Sequence, residues 1–464
     1  MKVHLIAIGG SAMHNLAIAL HLKGITVSGS DDEIVDPAKS NLKKYGLLPP
    51  AEGWDASRID SGLDAVILGM HARADNPELI RAQQLGLKIF SYPEYLYEQT
   101  KNKTRVVIAG SHGKTTITAM ILHVLRLCGK KFDYMVGAAI EGFPTSVKLT
   151  EDAPTAIFEG DEYLASALDK RPKFALYNAQ IALISGIAWD HVNVFPTYND
   201  YINQFARFIE HLPKGGCLVY CKDDGELLKL AKNIPEGVMG IPYGLPEYIV
   251  ENGKTFLVNG KGKISLAIFG KHNLTNLNGA REVCKLLGVD TTDFNRAIST
   301  FKGAARRLQT LASSDDGTAY LDFAHSPSKL KATIEAVKEQ YPNRMLAACM
   351  ELHTFSSLTK EFLKEYKGTM DKADYRLVYY NPHTLKHKKL PALNPEEVKN
   401  YFGGNVDVFT NSGEMVAFLQ KIIWKNVNLL MMSSGNFDGL DIRKIASKLL
   451  GNLSPGTPQP SNGL

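Results

Sequence analysis

The sequence predicts an α/β protein built as three consecutive domains. Three observations carry that expectation. A chain of 464 residues exceeds what one hydrophobic core organises, at roughly 100–200 residues per domain. Short apolar runs alternate with stretches of helical periodicity almost from end to end, the pattern of parallel strands joined by crossover helices. Two joints interrupt it: the polar Lys101-Asn102-Lys103 and the small-residue run Phe301-Lys302-Gly303-Ala304-Ala305. The expected domains are therefore 1–102, 103–302 and 303–452, and the Pro-, Ser- and Gly-rich tail over 453–464 is expected to be disordered.

In the first domain, strands are expected at 3–8, 25–27, 65–68 and 88–90, with a helix over 12–22. The second opens with a strand over 105–109, a Gly-rich turn and a helix over 115–127, and continues with strands at 155–158, 181–185 and 217–220. From 239 to 269, Gly and Pro punctuate short β-rich runs, which reads as a small β insertion in this domain. Helices near 274–287 and 292–301 close it. In the third domain the strands fall at 319–323, 345–350, 375–379, 406–408 and 427–432.

Composition narrows the class. With 44% hydrophobic and 22% charged residues, the chain reads as an ordinary globular protein. A net charge of +5 suits an anionic small molecule and does not call for nucleic acid. The five cysteines form no C-x-x-C pair, which points to free thiols in a reducing compartment. The apolar run at the N-terminus is too short for a signal peptide, and no run reaches the ~20 residues of a membrane span. The expectation is a cytoplasmic monomer or weak dimer.

The sharpest motif is Gly110-Ser111-His112-Gly113-Lys114-Thr115-Thr116, set between a strand and a helix. Backbone N–H groups at the helix start would cradle phosphates, Lys114 would reach the β/γ-phosphates, and Thr115 would offer its hydroxyl to Mg²⁺. This makes the middle domain a P-loop ATPase type of α/β domain, although Ile108 stands where the usual first glycine belongs. Glu159-Gly160-Asp161-Glu162 then packs three carboxylates into four positions, a cluster that a cation would neutralise. Asp190-His191 and His272-Asn273 are weaker signals, and the second could equally cap a helix. The first turn, Gly9-Gly10-Ser11-Ala12-Met13, opens a helix and could take a pyrophosphate, with Asp31 about where a ribose-binding acid falls. The first and third domains are accordingly read as Rossmann-like.

In this order and spacing the motifs resemble those of the Mur ligase family, the cytoplasmic enzymes of peptidoglycan precursor assembly. Residues 110–116 look like the family's G-[ST]-x-G-K-[ST]-T, and 159–162 like its E-A-D-E. Gly270-Lys271-His272-Asn273-x-x-Asn276 is similar to G-x-H-N-x-x-N, Arg306-Arg307-Leu308-Gln309 to R-R-[FL]-[EQ], and Asp322-Phe323-Ala324-His325-Ser326-Pro327 to D-[FY]-[AG]-H-x-P. The resemblance runs from residue 1 to about 450. It implies an ATP-dependent amide ligase that activates the carboxylate of UDP-N-acetylmuramate as an acyl phosphate. ATP would be held by Gly110, Ser111, His112, Gly113, Lys114, Thr115, Thr116, Asn273, Asn276, Arg307, Asp322 and His325. Lys114, Glu162, His191 and Arg307 would carry the catalysis, with Thr115, Glu162 and His191 on Mg²⁺. The UDP-sugar side would comprise Gly10, Ser11, Ala12, Met13, Ser30, Asp31, His71, Arg73 and Asn76, and the acceptor side His353, Ser434 and Asn436.

Within the family, Asp161-Glu162-Tyr163, the run 169–174 and Ser433-Ser434-Gly435-Asn436-Phe437-Asp438-Gly439 lean towards the branch that adds an L-Ala-γ-D-Glu-meso-diaminopimelate tripeptide. The branch that adds L-alanine is the alternative, and a catalytically impaired nucleotide-binding regulator of the same fold is a second. The chain departs from the pattern at Gly186 and Ala188, where the family has Asn and Glu, and at His353, Ser326 and Gly160.

Overall fold

The computed structural model describes residues 1–70, 72–189, 194–260 and 262–451. The chain forms two compact units, one of 1–244 with 276–297, the other of 245–275 with 298 onward.

The first unit contains two sheets. The smaller is wholly parallel, in the order Thr26–Ser30, Lys2–Ile6, Ala65–Leu68, Ile89–Ser91. Val3, Leu5, Ile6, Val66 and Ile67 are fully buried, as expected of a parallel sheet covered on both faces. After its first strand the chain turns sharply at Ala7, whose φ is 69°. The N–H groups of Ala7 and Ile8 both donate to the Ser30 carbonyl, at 2.8 and 3.0 Å. A β-carbon in this left-handed region costs roughly 1–2 kcal/mol, so alanine is strained at this turn. Helix Ser11–Leu22 follows at once.

The larger sheet has seven strands, in the order Met239–Tyr243, Cys217–Cys221, Ile181–Ile184, Thr104–Ala109, Thr155–Glu159, Asp133–Met135, Val147–Lys148. Only the last is antiparallel to its neighbour. Thr104–Ala109 lies central, with later strands added on both sides. The strand order therefore switches at its carboxyl end, the place where open α/β sheets form a binding crevice.

The second unit has a six-stranded sheet, in the order Gln309–Ser313, Thr318–Asp322, Val427–Met432, Met345–Glu351, Tyr375–Tyr379, Asp407–Phe409, parallel except for its first strand. The antiparallel meander Tyr248–Glu251, Lys254–Asn259, Gly262–Leu266 belongs to this unit too. The Tyr248 hydroxyl donates to Glu339 at 2.6 Å, Thr255 Oγ1 to Gln340 at 2.8 Å, and Gln340 Nε2 to the Gly253 carbonyl at 2.6 Å. The β run that sequence pattern assigns to the middle of the chain is thus clamped to helix Pro327–Gln340. Partners some 85 to 91 residues apart leave no trace in local periodicity.

The expected strands recur within a residue or two, apart from that expected over 25–27, which runs on to Ser30; the first ends at Ile6, where the turn at Ala7 begins. The edge strand Gln309–Ser313 and helices Ala38–Lys44, Pro77–Gln84, Tyr92–Thr100 and Tyr198–Glu210 go beyond the sequence reading. All five cysteines are free. Among the described residues, no helix is long and apolar enough to cross a membrane. The tail expected over 453–464 lies outside the described residues.

Candidate active site

Strand Thr104–Ala109 is buried from Arg105 onward and ends in the loop 110–113, from which helix Lys114–Leu127 starts. Gly110 and Gly113 have φ of 120° and 78°. A β-carbon at Gly110 would lie 2.3 Å from Ser185 Oγ, and one at Gly113 would lie 2.3 Å from Asn276 Oδ1. Both positions therefore require glycine for backbone and for space. Among the described residues no side chain caps the helix at Gly113, which leaves its first-turn N–H groups available as an anion site. The loop is tied down from behind, with the Ser111 N–H donating to the Gly186 carbonyl at 3.0 Å and the Ser185 hydroxyl to that of His112.

Lys114 Nζ donates to the Gly110 carbonyl at 2.7 Å and to Glu162 Oε2 at 2.6 Å. Burial would lower the Lys114 ammonium, but Glu162, Asp161 and Glu159 outweigh it and hold the group above the ordinary lysine value. Lys114 is thus a permanent cation at the loop. Thr115 Oγ1 donates to Glu159 Oε1 at 2.7 Å, and Glu159 Oε2 accepts the Gly137 N–H at 2.7 Å.

This pairing refines the expected set. The hydroxyl at the helix start meets Glu159, whereas Glu162 meets Lys114 and the Tyr201 hydroxyl, the latter at 3.0 Å. Glu159 was part of the acidic cluster but not among the expected site residues. The register of Ile108 opposite Glu159 brings that acid to the loop, and only strand pairing supplies it. Gly160 is packed so closely that a β-carbon would come within 2.7 Å of Val107 Cγ1. Thr116 is buried in the first helical turn, and Asn276 lies against Gly113. His191 and Asp190 lie outside the described residues. Asp169 and Arg171 bond each other at 2.6 Å, and Arg171 also bonds Glu94 of helix Tyr92–Thr100 at 3.0 Å. Arg171 thus ties that part of the acceptor-leaning motif to a neighbouring helix at the surface.

A cavity of about 820 Å³ opens at the first turn, and Gly10, Ser11, Asp31, Arg73 and Asn76 line it together with Trp54 and Met70. Ala12, Met13 and Ser30 are not on its wall: Met13 is in the core, and the buried Ser30 hydroxyl accepts from Arg58 at 3.0 Å. His71 lies outside the described residues. Asp31 accepts the Gly9 N–H at 2.8 Å. Burial, reinforced by Asp32, pushes its carboxyl up to about 6. Because the folded value exceeds the ordinary 3.8, stability from this group is complete below pH 3.8 and is lost as pH rises through about 6. Asp31→Asn keeps an acceptor for Gly9 and should flatten that part of the profile in thermal melts at stepped pH. Parallel profiles for the two proteins would remove Asp31 as the titrating group.

In the second unit, three strand ends converge. Asp322 accepts the Leu308 and Ala324 N–H groups, each at 2.7 Å, so its two oxygens organise the backbone. Arg306 Nη2 donates to the Ser433 carbonyl at 2.8 Å, and the Arg307 guanidinium lies 4.7 Å over the Phe323 ring. His325 Nδ1 meets the Phe323 carbonyl at 2.9 Å, and Asn273 Nδ2 donates to that of Phe269 at 3.0 Å. The buried Glu351, absent from the expected set, accepts from the Ser433 hydroxyl and, at 2.9 Å, from the Phe437 N–H. His353 lies 3.7 Å from it. Among the described residues the buried Ser434 Oγ has no hydrogen-bond partner, and Asn436 Oδ1 accepts the Gly439 N–H at 3.1 Å. Phe437 and Asp438 have φ of 51° and 62°, left-handed backbone of the kind that collects at functional sites.

Three family models match the chain: "Mur ligase family, catalytic domain" over 2–104, "Mur ligase middle domain" over 108–284, and "Mur ligase, glutamate ligase domain" over 306–435. The UDP-N-acetylmuramate–L-alanine ligase of Persephonella marina is 31% identical, over 78% of this chain and 79% of its own. The fold is shared with the UDP-N-acetylmuramate–alanine ligase of Thermotoga maritima, 20% identical, with a TM-score of 0.68 over 97% of this chain and 98% of that one. The UDP-N-acetylmuramate:L-alanyl-γ-D-glutamyl-meso-diaminopimelate ligase from Neisseria meningitides is 25% identical, with a TM-score of 0.59 over 66% of this chain and 99% of that one.

Proposed function

Because the chain belongs to the Mur ligase family, whose members are ATP-dependent ligases that form amide bonds, we propose that it joins the carboxylate of UDP-N-acetylmuramate to an amino group in the cytoplasm. The observation that carries this reading is the constellation at 110–115: a glycine turn, an uncapped helix start, and Lys114 held by Glu162 beside Thr115 and Glu159.

The first step brings a carboxylate against a polyphosphate, so repulsion between anions is its main obstacle. Lys114 supplies a fixed positive charge, and the helix start supplies N–H donors aimed at phosphate oxygens. The carboxylate oxygen bonds to the γ-phosphorus and the bond to the bridging oxygen breaks, giving an acyl phosphate and ADP. The amine nitrogen then attacks the acyl carbon, phosphate leaves, and the amine's proton is released. Positioning carries most of the catalysis. Thr115, Glu159 and Glu162 offer hard oxygen donors of the kind Mg²⁺ takes, and that ion would neutralise charge on the transferring phosphates. The cavity at Gly10, Ser11, Asp31, Arg73 and Asn76 is the pocket we assign to the UDP-sugar.

For the acceptor we favour L-alanine, reversing the order that sequence motifs suggested. A relative named for that amino acid matches most of the chain at 31% identity. The tripeptide is the second reading, supported by the 25% identity to the Neisseria enzyme. Phosphate release from ATP and UDP-N-acetylmuramate, with L-alanine, dipeptide or tripeptide added, decides between them. Release with L-alanine alone is expected. Release only with the tripeptide installs the second reading. No release with any acceptor, while ADP still binds, returns the chain to a nucleotide-binding regulator.

A further inference from the structure

Behind the phosphate loop, a residue outside every motif joins two of them. Tyr201, on helix Tyr198–Glu210, is fully buried. Its ring is wedged against Phe195 and Phe205, at centroid distances of 5.4 and 5.3 Å. Phe205 in turn packs on Phe174, so the hydroxyl has a fixed place. That hydroxyl meets Ser111 Oγ at 2.8 Å and Glu162 Oε1 at 3.0 Å.

Donor counting sets the direction. Ser111 Oγ accepts the Ala188 N–H at 2.8 Å, which leaves its own proton for the Tyr201 oxygen. The Tyr201 proton then goes to the carboxylate, the stronger acceptor. The chain runs from the Ala188 N–H through Ser111 and Tyr201 to Glu162, whose other oxygen holds Lys114 at 2.6 Å. At 188, the family's pattern has a carboxylate. Here alanine contributes its backbone N–H, and the side chain braced against Glu162 comes from Tyr201 on the following helix.

We propose that Tyr201 is a positioning residue for phosphoryl transfer, its hydroxyl pinning one oxygen of Glu162 so that the other meets Lys114 and the bound magnesium nucleotide in a single geometry. A carboxylate released on one side rotates about its last bond, and misplacement by about 1 Å at a reacting centre costs on the order of 100-fold in rate. Tyr201 acts through Glu162. This inference rests on the proposed function for its kinetic arm only.

Tyr201→Phe keeps the ring and removes the hydroxyl. The variant is expected to melt with the wild type and to bind ADP without magnesium equally well. With MgCl₂ present, its ADP affinity falls about ten-fold, the scale of one charge-assisted hydrogen bond. The turnover number for phosphate release falls about as much, with KM for the amine acceptor unchanged. Combined with Glu162→Gln, Tyr201→Phe adds no further loss, since both act on one interaction. Wild-type affinity for ADP with MgCl₂, or full additivity with Glu162→Gln, overturns the proposal. Should Tyr201→Phe not fold, Tyr201→Met, whose flexible side chain refills the same pocket without a hydroxyl, must give the same magnesium-selective loss. If the wild type releases no phosphate with any acceptor, the proposed function fails, while the ADP comparison still judges Tyr201.

Discussion

Lys114→Met is expected to lower the turnover number for phosphate release by roughly 100- to 1,000-fold, or about 2.7–4 kcal/mol of barrier, the usual loss for one strong transition-state donor. The ammonium is held 2.6 Å from Glu162 and 2.7 Å from the Gly110 carbonyl, poised where a transferring phosphoryl group would meet the loop. Burial alone would lower it, but the surrounding carboxylates hold it above the ordinary lysine value, so no accessible pH switches it off. Methionine keeps most of the stem's packing and removes only the charge. ADP binding should weaken far less than turnover, because the backbone N–H groups of the helix start remain. Stopped-flow phosphate release beside equilibrium ADP titration separates the two. Equal losses in both would make Lys114 a simple binding group.

Lys103→Met should produce the largest stability change, a loss of ~3–5 kcal/mol, as when one partner of a buried ion pair is deleted. Asp133 is fully buried, and Lys103 Nζ donates to it at 2.6 Å and also to the Thr150 carbonyl. The other Asp133 oxygen accepts the Thr150 N–H and hydroxyl, both at 2.8 Å. Burial pushes the Asp133 carboxyl up even with Lys103 in place, so an unpaired Asp133 is costlier still. Domains are stable by only about 5–15 kcal/mol, and the shift in a urea melt would be unmistakable. Lys131→Met is the control. Its pair with Asp152 is exposed on both sides, and such pairs contribute little. Identical urea midpoints for the two variants would refute the buried-pair account.

Lys103 shows how far a one-dimensional reading reaches. As Lys101-Asn102-Lys103 it reads as a solvated joint, yet its third residue spans 30 positions to a buried acid. Glu159 and Glu162 read as one acidic cluster, and the structure divides their duties between Thr115 and Lys114. The β run over 239–269 reads as part of the middle of the chain, and its meander is clamped to helix Pro327–Gln340.

The sequence by itself determined the alternating α/β architecture, the glycine turn at 110–113 and its lysine, and the family's order of motifs, because each is written in neighbouring residues. Backbone conformation at a glycine, strand propensity and helix starts are local properties that need no distant partner. Only the tertiary structure decided that Tyr201 braces Glu162, that Glu159 reaches Thr115, and that Glu351 gathers the turn after Val427–Met432. Those pairings join residues 39 to 86 positions apart. Strand register and packing set them, and a buried polar group takes whichever partner the fold brings within about 3 Å.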